Sequence, residues 1–279
     1  MKDTMINVER VDRMIDDICE FLGIVPEYLM EQLLEISESA SNADDYCSAF
    51  LELSERFIQK HTYEKIESIY FCHLTRSIDK PSKMLPIQAL LTTENSFILF
   101  LKEYCLRFHL EDQQLVMEYQ GKRISPLKLY DPDRFENKHV RLAGRLGYIG
   151  VKDYCVNGFV HAIDPEKSTD GYYRLLMHGP EILQDLDQFL HTNMCLEYIK
   201  RSNFYYAVSK VPLSNVIFDQ RQDFNVEGDR TKIYLSICFE FLLSWYTKTR
   251  WTSILHNEMI RMNDYEPIVI DHYIELPCS

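Results

Sequence analysis

The ten residues SIYFCHLTRS, Ser68 to Ser77, mark a change in the pattern of the chain. From Ile66 to Leu74 the sequence is β-branched and aromatic, and its length predicts a buried β-strand. A histidine, a threonine and an arginine follow directly on the apolar run. We therefore place the start of a second, strand-containing domain here, with candidate functional side chains at the end of its first strand.

Before this stretch, residues 5–60 have the apolar spacing of three α-helices. Ile18 and Leu22 lie four positions apart on one predicted helix face, and Gly23 then predicts the end of that helix. We interpret residues 1–62 as a helical N-terminal module with an acidic outer surface.

After it, strands and helices are mixed, and residues 63–279 are predicted to form one domain. Strand patterns and helical patterns do not alternate regularly, which favours an α+β fold with mainly antiparallel strands over a doubly wound sheet. We predict a helix at 95–108, a hairpin at 114–124 turning at Gln120 and Gly121, an irregular segment at 125–150, a helix after Pro180 and a buried helix at 233–246. Strands are predicted at 153–163, where Gly158 marks a bulge or a close approach by another backbone, and at 203–212, 256–263 and 267–276.

The composition excludes several classes of protein. The formal charge of −13 repels nucleic acid, so a nucleic-acid partner is not expected. One stretch is locally basic, at Lys122, Arg123, Lys128, Arg134, Lys138, Arg141, Arg145 and Lys152. The closest two of the eight cysteines are twenty-five positions apart, so zinc pairs of the C-x-x-C kind are absent and no metal is expected. We expect reduced thiols, a cytoplasmic location and no membrane span.

Two short motifs carry a resemblance to a known family. The sequence His73-Leu74-Thr75 at the end of a strand resembles the opening motif of the ADP-ribosyltransferase superfamily, in its toxin-like branch. Near the other end, HNEMIRMNDYEPIVIDHYIEL is similar to the closing motif of those enzymes, and Glu258 occupies the position of their glutamate. The resemblance spans residues 66–277 in spacing.

The resemblance implies NAD as cofactor, with Glu258 and His73 as catalytic residues. A carboxylate beside the ribose would stabilise the positive charge that develops when the nicotinamide bond of NAD breaks. His73 would orient a ribose through a ring N–H, with Thr75 and Arg76 completing the cofactor contacts. Tyr172 and Tyr173 are assigned to the nicotinamide ring by position alone.

Other interpretations of the same residues remain open. His73 fits a hydrogen-bonded structural residue, and Glu258 fits a solvent-facing position in an alternating strand. A non-catalytic alternative is an acidic, aromatic-rich protein that binds a protein partner by surface complementarity, as an inhibitor or a component in the conflict between bacteria and phages.

Overall fold

A computed structural model describes residues 5–39, 48–49, 52–57, 65–112, 114–129, 138–149, 155–162, 175–218, 230–247, 258–263 and 265–276. The fold is α+β with mainly antiparallel sheets, as the sequence predicts. The predicted boundary between residues 62 and 63 lies outside the described residues.

The helices are α1 (Val11–Leu22), α2 (Pro26–Ser39), α3 (residues 52–57), α4 (Ile87–Thr92), α5 (Ser96–Glu103), α6 (Lys138–Arg145), α7 (residues 175–177), α8 (Glu181–Leu190), α9 (Met194–Arg201) and α10 (Arg230–Thr247). The strands are β1 (Ser68–Ser77), β2 (Lys83–Met84), β3 (Leu106–Glu111), β4 (Gln114–Tyr119), β5 (Lys122–Ile124), β6 (Asn157–Phe159), β7 (Asn203–Pro212), β8 (Met259–Arg261), β9 (Ile268–Val269) and β10 (His272–Glu275). Short 3-10 turns lie at Pro126–Leu129 and Leu213–Asn215.

The strands form three sheets. Hydrogen-bonded neighbours in the largest sheet follow the order β10-β7-β1-β6-β8. Within it, β1 and β6 are antiparallel, with Cys72 opposite Phe159. The pair β2-β9 and the meander β3-β4-β5 form the two smaller sheets, both antiparallel.

The chain divides into two compact units, each assembled from three separate stretches. The first unit comprises Met1–Cys72, Gly158–Asp170 and Val208–Arg261. The second comprises His73–Asn157, Gly171–Ala207 and Met262–Ser279. The N-terminal helices therefore belong to the same unit as α10 and β8, which come from the far end of the sequence.

In the first unit, α1 and α2 pack against α10. Helix α10 is buried over most of its surface, and its buried apolar residues are Ile233, Tyr234, Leu235, Ile237, Cys238, Phe239, Phe241, Leu242 and Leu243. This confirms the prediction of a buried helix here. None of the helices described has the length and apolar character needed to cross a membrane. The predicted end of α1 is also confirmed, because Gly23 adopts a left-handed conformation with φ 66°.

The core of the second unit lies between α5, the meander and helices α6, α8 and α9. Leu101, Leu106, Leu142, Leu186 and Tyr198 are among its buried members. Two of these helices correct the sequence prediction. Segment 125–150, predicted to be irregular, contains α6, whose Leu142 is fully buried. Helix α9 was not predicted at all.

Other boundaries also differ from the prediction. The helix predicted to run to Phe108 ends at Glu103, because Cys105 takes φ 57° and β3 begins at Leu106. The strand predicted from residue 153 to 163 is limited to β6 within the described residues. In contrast, β7 and the turn at Gln120 and Gly121 are confirmed, the turn with positive φ at both residues.

Six cysteines are described and all six are free thiols. Cys105, at the end of α5, is exposed, whereas Cys19, Cys72, Cys155, Cys195 and Cys238 are buried. Burial raises the pKa of Cys19 to about 11 and that of Cys238 to about 12. Cys47 and Cys278 lie outside the described residues.

Candidate functional site

Strand β1 is longer than predicted and carries the candidate motif inside it. His73, Thr75 and Ser77 are partly buried and alternate with the buried Leu74 and Arg76. Because side chains alternate along a strand, the side chains of 73, 75 and 77 lie on one face. His73 therefore does not end the strand, as the motif predicted, but lies in its middle.

His73, Thr75, Arg76 and Ser77 line a cavity of about 140 Å³ in the second unit. His73, Thr75 and Arg76, three residues predicted to contact the cofactor, are all in its wall. The wall also contains Pro81, Leu85, Leu90, Phe97, Ile182 and Tyr273. A cavity of about 150 Å³ holds one benzene-sized ring. The space therefore accepts a single ring, and because it is partly open to solvent, the rest of a dinucleotide would lie outside it.

His73 is held by one hydrogen bond to the main chain. Its Nδ1 lies 2.6 Å from the carbonyl oxygen of Asn157. A carbonyl oxygen only accepts, so Nδ1 must carry the proton and donate it. Burial lowers the pKa of His73 below its ordinary value, against the smaller opposing effect of the Asn157 bond. The ring is therefore neutral near pH 7, and Nε2 is a hydrogen-bond acceptor.

Two hydrogen bonds to the C-terminal end of α9 hold the Arg76 side chain in place. Its Nε donates to Ser202 Oγ at 3.1 Å, and its Nη2 donates to the carbonyl oxygen of Ile199 at 3.4 Å. The guanidinium also lies 5.8 Å from the centre of the Phe204 ring. These contacts give Arg76 a structural role in closing the last turn of α9, in addition to its place in the cavity wall.

Two charged residues of the wall were missed by the sequence analysis. Asp79 follows β1, and Lys83 lies in β2; both are exposed and both line the cavity. Asp79 Oδ1 accepts hydrogen bonds from Ser77 Oγ at 3.2 Å and Ser96 Oγ at 2.8 Å. The sequence contains one indication that Asp79 and Lys83 could belong to the site: they follow His73 by only six and ten residues.

Glu258 lies in the first unit, directly before β8. It is 2% exposed, so the alternative of a solvent-facing side chain is wrong. Its carbonyl oxygen accepts from the backbone N–H of Val160 at 3.2 Å. Among the described residues that line the cavity of the second unit, Glu258 is not included. That Glu258 and His73 act on one ligand stays a prediction.

Tyr172 and Tyr173, predicted to contact nicotinamide, lie outside the described residues. Within the described ranges, no group of three or more His, Cys, Asp or Glu side chains is arranged to hold a metal ion.

Several arginines of the basic stretch are paired with carboxylates. Arg123 pairs with Glu111 at 2.7 Å, and Arg145 pairs with Glu181 at 2.7 Å and with Asp185 at 2.9 Å. Burial raises the pKa of Asp185, against the opposing charges of Arg145 and Arg141. The charges of Arg123 and Arg145 are thus balanced inside the second unit, which weakens the case for a phosphate-binding surface here.

Compared with known proteins, the chain matches no family model, and no curated protein or solved structure is significantly similar to it. The function is therefore inferred from the residues of the site and their geometry.

Proposed function

We propose that this protein binds NAD in the cavity of the second unit, as an ADP-ribosyltransferase-like protein of the toxin or defence type. The observation that supports the proposal is that His73, Thr75 and Arg76 line one cavity. The resemblance assigned all three to the cofactor from their sequence alone.

The protonation of His73 defines how it would contact the cofactor. The ring N–H expected to orient a ribose is already donated to Asn157. The remaining nitrogen, Nε2, accepts, so it would take a hydrogen bond from a ribose hydroxyl. Thr75 adds a hydroxyl on the same face of β1, which can donate or accept.

The size of the cavity defines how much of NAD it would enclose. One ring fits in about 140 Å³. The rest of the dinucleotide would extend across the rim, where Lys83 offers an ammonium group to the phosphates.

The catalytic part of the proposal depends on Glu258. A carboxylate there would stabilise the oxocarbenium-like transition state of NAD cleavage electrostatically. Its support is the motif in the sequence. Replacing Glu258 by Gln keeps the shape and removes the charge, and we expect it to abolish NAD cleavage; unchanged release of nicotinamide would overturn the catalytic role.

The binding part is tested by calorimetry and thermal unfolding with NAD. A ligand present at 100 times its Kd stabilises the folded state by about 2.7 kcal/mol, so the melting temperature must rise. We expect the loss of one hydrogen bond in His73→Phe or Thr75→Val to weaken binding roughly ten-fold. His109→Phe is the matched control, because His109 lies on β3 and is not among the cavity residues. No response of the wild-type protein to NAD would overturn the proposal.

A second candidate function is binding of a protein partner without catalysis. It is favoured by large apolar side chains of the second unit that are at least half exposed: Leu99 at 50%, Tyr265 at 54%, Leu196 at 60% and Val269 at 60%. Of these, Tyr265 is the residue type that most often serves as an anchor in protein interfaces, and the aliphatic side chains would add apolar contact area around it. If a partner co-purifies, Leu196→Ser should reduce its retention, whereas a monomer that retains no protein would contradict this candidate.

A further inference from the structure

Asp79 is an oriented carboxylate at the mouth of the cavity. Two hydroxyl groups, Ser77 Oγ and Ser96 Oγ, donate to its Oδ1 at 3.2 and 2.8 Å. Ser77 ends β1 and Ser96 begins α5, so the carboxylate is tied to two elements at once. These two bonds hold the group in one direction before any ligand arrives.

The second oxygen of Asp79 is left for a ligand. Both hydrogen bonds end on Oδ1, and in the described part of the chain Oδ2 receives none. An ionised carboxylate is an acceptor only. Asp79 Oδ2 and Nε2 of His73 are thus two atoms of the cavity wall that can only accept, and a ligand that satisfies both must supply hydroxyl or N–H donors.

The carboxylate also occupies a position that would otherwise attract an anion. The first turn of a helix favours negative charge, because its N–H groups point outward without partners. At α5, Asn95 accepts from the backbone N–H of Ile98, and the Ser96 hydroxyl donates to Asp79 and so holds its carboxylate beside this turn. A ligand phosphate placed here would meet a negative charge instead of an open helix end.

We propose that Asp79 is a specificity-determining residue that accepts a hydrogen bond from a ligand sugar, so that the enclosed ring is a pentose with intact hydroxyls. The phosphates of the same ligand would be repelled by the Asp79 carboxylate and attracted by the ammonium group of Lys83, which also lines the cavity. This inference rests on the proposed function and deepens it, because it names which part of the nucleotide the cavity recognises.

The test measures binding of NAD, adenosine and nicotinamide riboside, and of the 2′-deoxy and 3′-deoxy forms of both nucleosides, by calorimetry. Three proteins are compared: wild type, Asp79→Asn and Glu94→Gln. Glu94 is the matched control, because it is exposed, lies close in sequence and is not among the cavity residues. The Asn side chain keeps an oxygen that can accept from both serines, so the variant should fold normally.

We expect the wild-type protein to bind a ribonucleoside roughly ten-fold more tightly than one of its deoxy forms, as for a hydrogen bond to a charged group. Asp79→Asn should reduce this ratio to near one, and Glu94→Gln should leave it unchanged. If Asp79→Asn discriminates as well as the wild type, or weakens every form equally, the inference is wrong although the proposed function stands. A wild-type protein that binds none of the ligands overturns both.

Discussion

The ring of Phe71 fills the space that a side chain at Gly158 would need. A Cβ added to Gly158 would lie 2.5 Å from Cζ of Phe71, which is fully buried. The sequence predicted a bulge or a close approach by another backbone at Gly158; the close approach is made instead by an aromatic side chain in the core of the first unit.

Gly158→Ala is therefore expected to destabilise the protein. The Phe71 ring must move within a packed core, and overpacking of this kind costs about 1–3 kcal/mol. Gly144→Ala is the control: Gly144 lies in α6 with no atom within 4 Å of an added Cβ, and alanine there should be neutral or stabilising by up to about 1 kcal/mol. Denaturant unfolding of both variants measures the difference. Equal midpoints would contradict the prediction, and Phe71→Leu should partly rescue Gly158→Ala.

Arg76→Lys is expected to lower stability, although it preserves the charge. Lysine has a single nitrogen and cannot reproduce two donors in a planar fork, so Ser202 Oγ and the Ile199 carbonyl lose a partner in a buried setting. We expect a loss of about 2 kcal/mol in the free energy of unfolding. Arg107→Lys, at an exposed position of β3, should change it little. A fully stable Arg76→Lys would contradict the structural role of the guanidinium.

His161 is expected to make the protein sensitive to acid. It is fully buried and stacks on Phe241, with ring centres 4.1 Å apart, and burial lowers its pKa from 6.5 to about 3. The folded state keeps the ring neutral, whereas the unfolded chain takes up a proton below about pH 6.5, so stability falls as the pH drops from there towards 3. The slope for one histidine approaches about 1.4 kcal/mol per pH unit.

His161→Phe preserves the stacking and removes the titration. Between pH 6.5 and pH 5, it should reduce the loss of stability by about 2 kcal/mol. Part of the acid sensitivity should remain, because the pKa of His73 is also lowered by burial. Urea unfolding at the two pH values measures the effect, and an unchanged pH dependence in His161→Phe would contradict it.

The elements that the sequence predicts well carry their signals locally. Strand β7 contains the strand formers Phe204, Tyr205, Tyr206, Val208 and Val211 and ends at Pro212. Helix α5 begins at Asn95, which accepts from the N–H of Ile98 as a capping residue should. The turn at Gln120 and Gly121 is specified by a glycine between two alternating runs. In each case, neighbours in sequence are sufficient to determine the conformation.

Helices α6 and α9 were missed because the residues within each helix signal it only weakly. Helix α9 has no side-chain hydrogen bond from its own capping position, Asn193. Its first N–H groups are instead satisfied by Asp187, whose carboxylate accepts from Met194 at 2.7 Å and from Cys195 at 2.8 Å. Leu142 in α6 and Leu146, directly after its last residue, lie four positions apart and are both buried, but prolines, glycines and charges in the same segment concealed this spacing.

The residues that line the cavity also differ in how well the local sequence predicts that they lie together. His73, Thr75 and Arg76 could be grouped from sequence because one strand carries them. Tyr273 comes from β10, and its hydroxyl donates to the carbonyl oxygen of Pro81, a contact between positions almost two hundred residues apart that no local pattern encodes. Only the fold brings these walls together.

Cys105 is a native site in the second unit at which a label can be attached without a substitution. Among the six thiols described, it alone is open to solvent, so a maleimide dye should couple there before the others react. The dye would lie just beyond the last residue of α5, the helix whose opposite end contributes Asn95, Ser96 and Phe97 to the cavity wall. Its emission could then report occupancy of that cavity in real time, in a molecule whose sequence is otherwise unaltered.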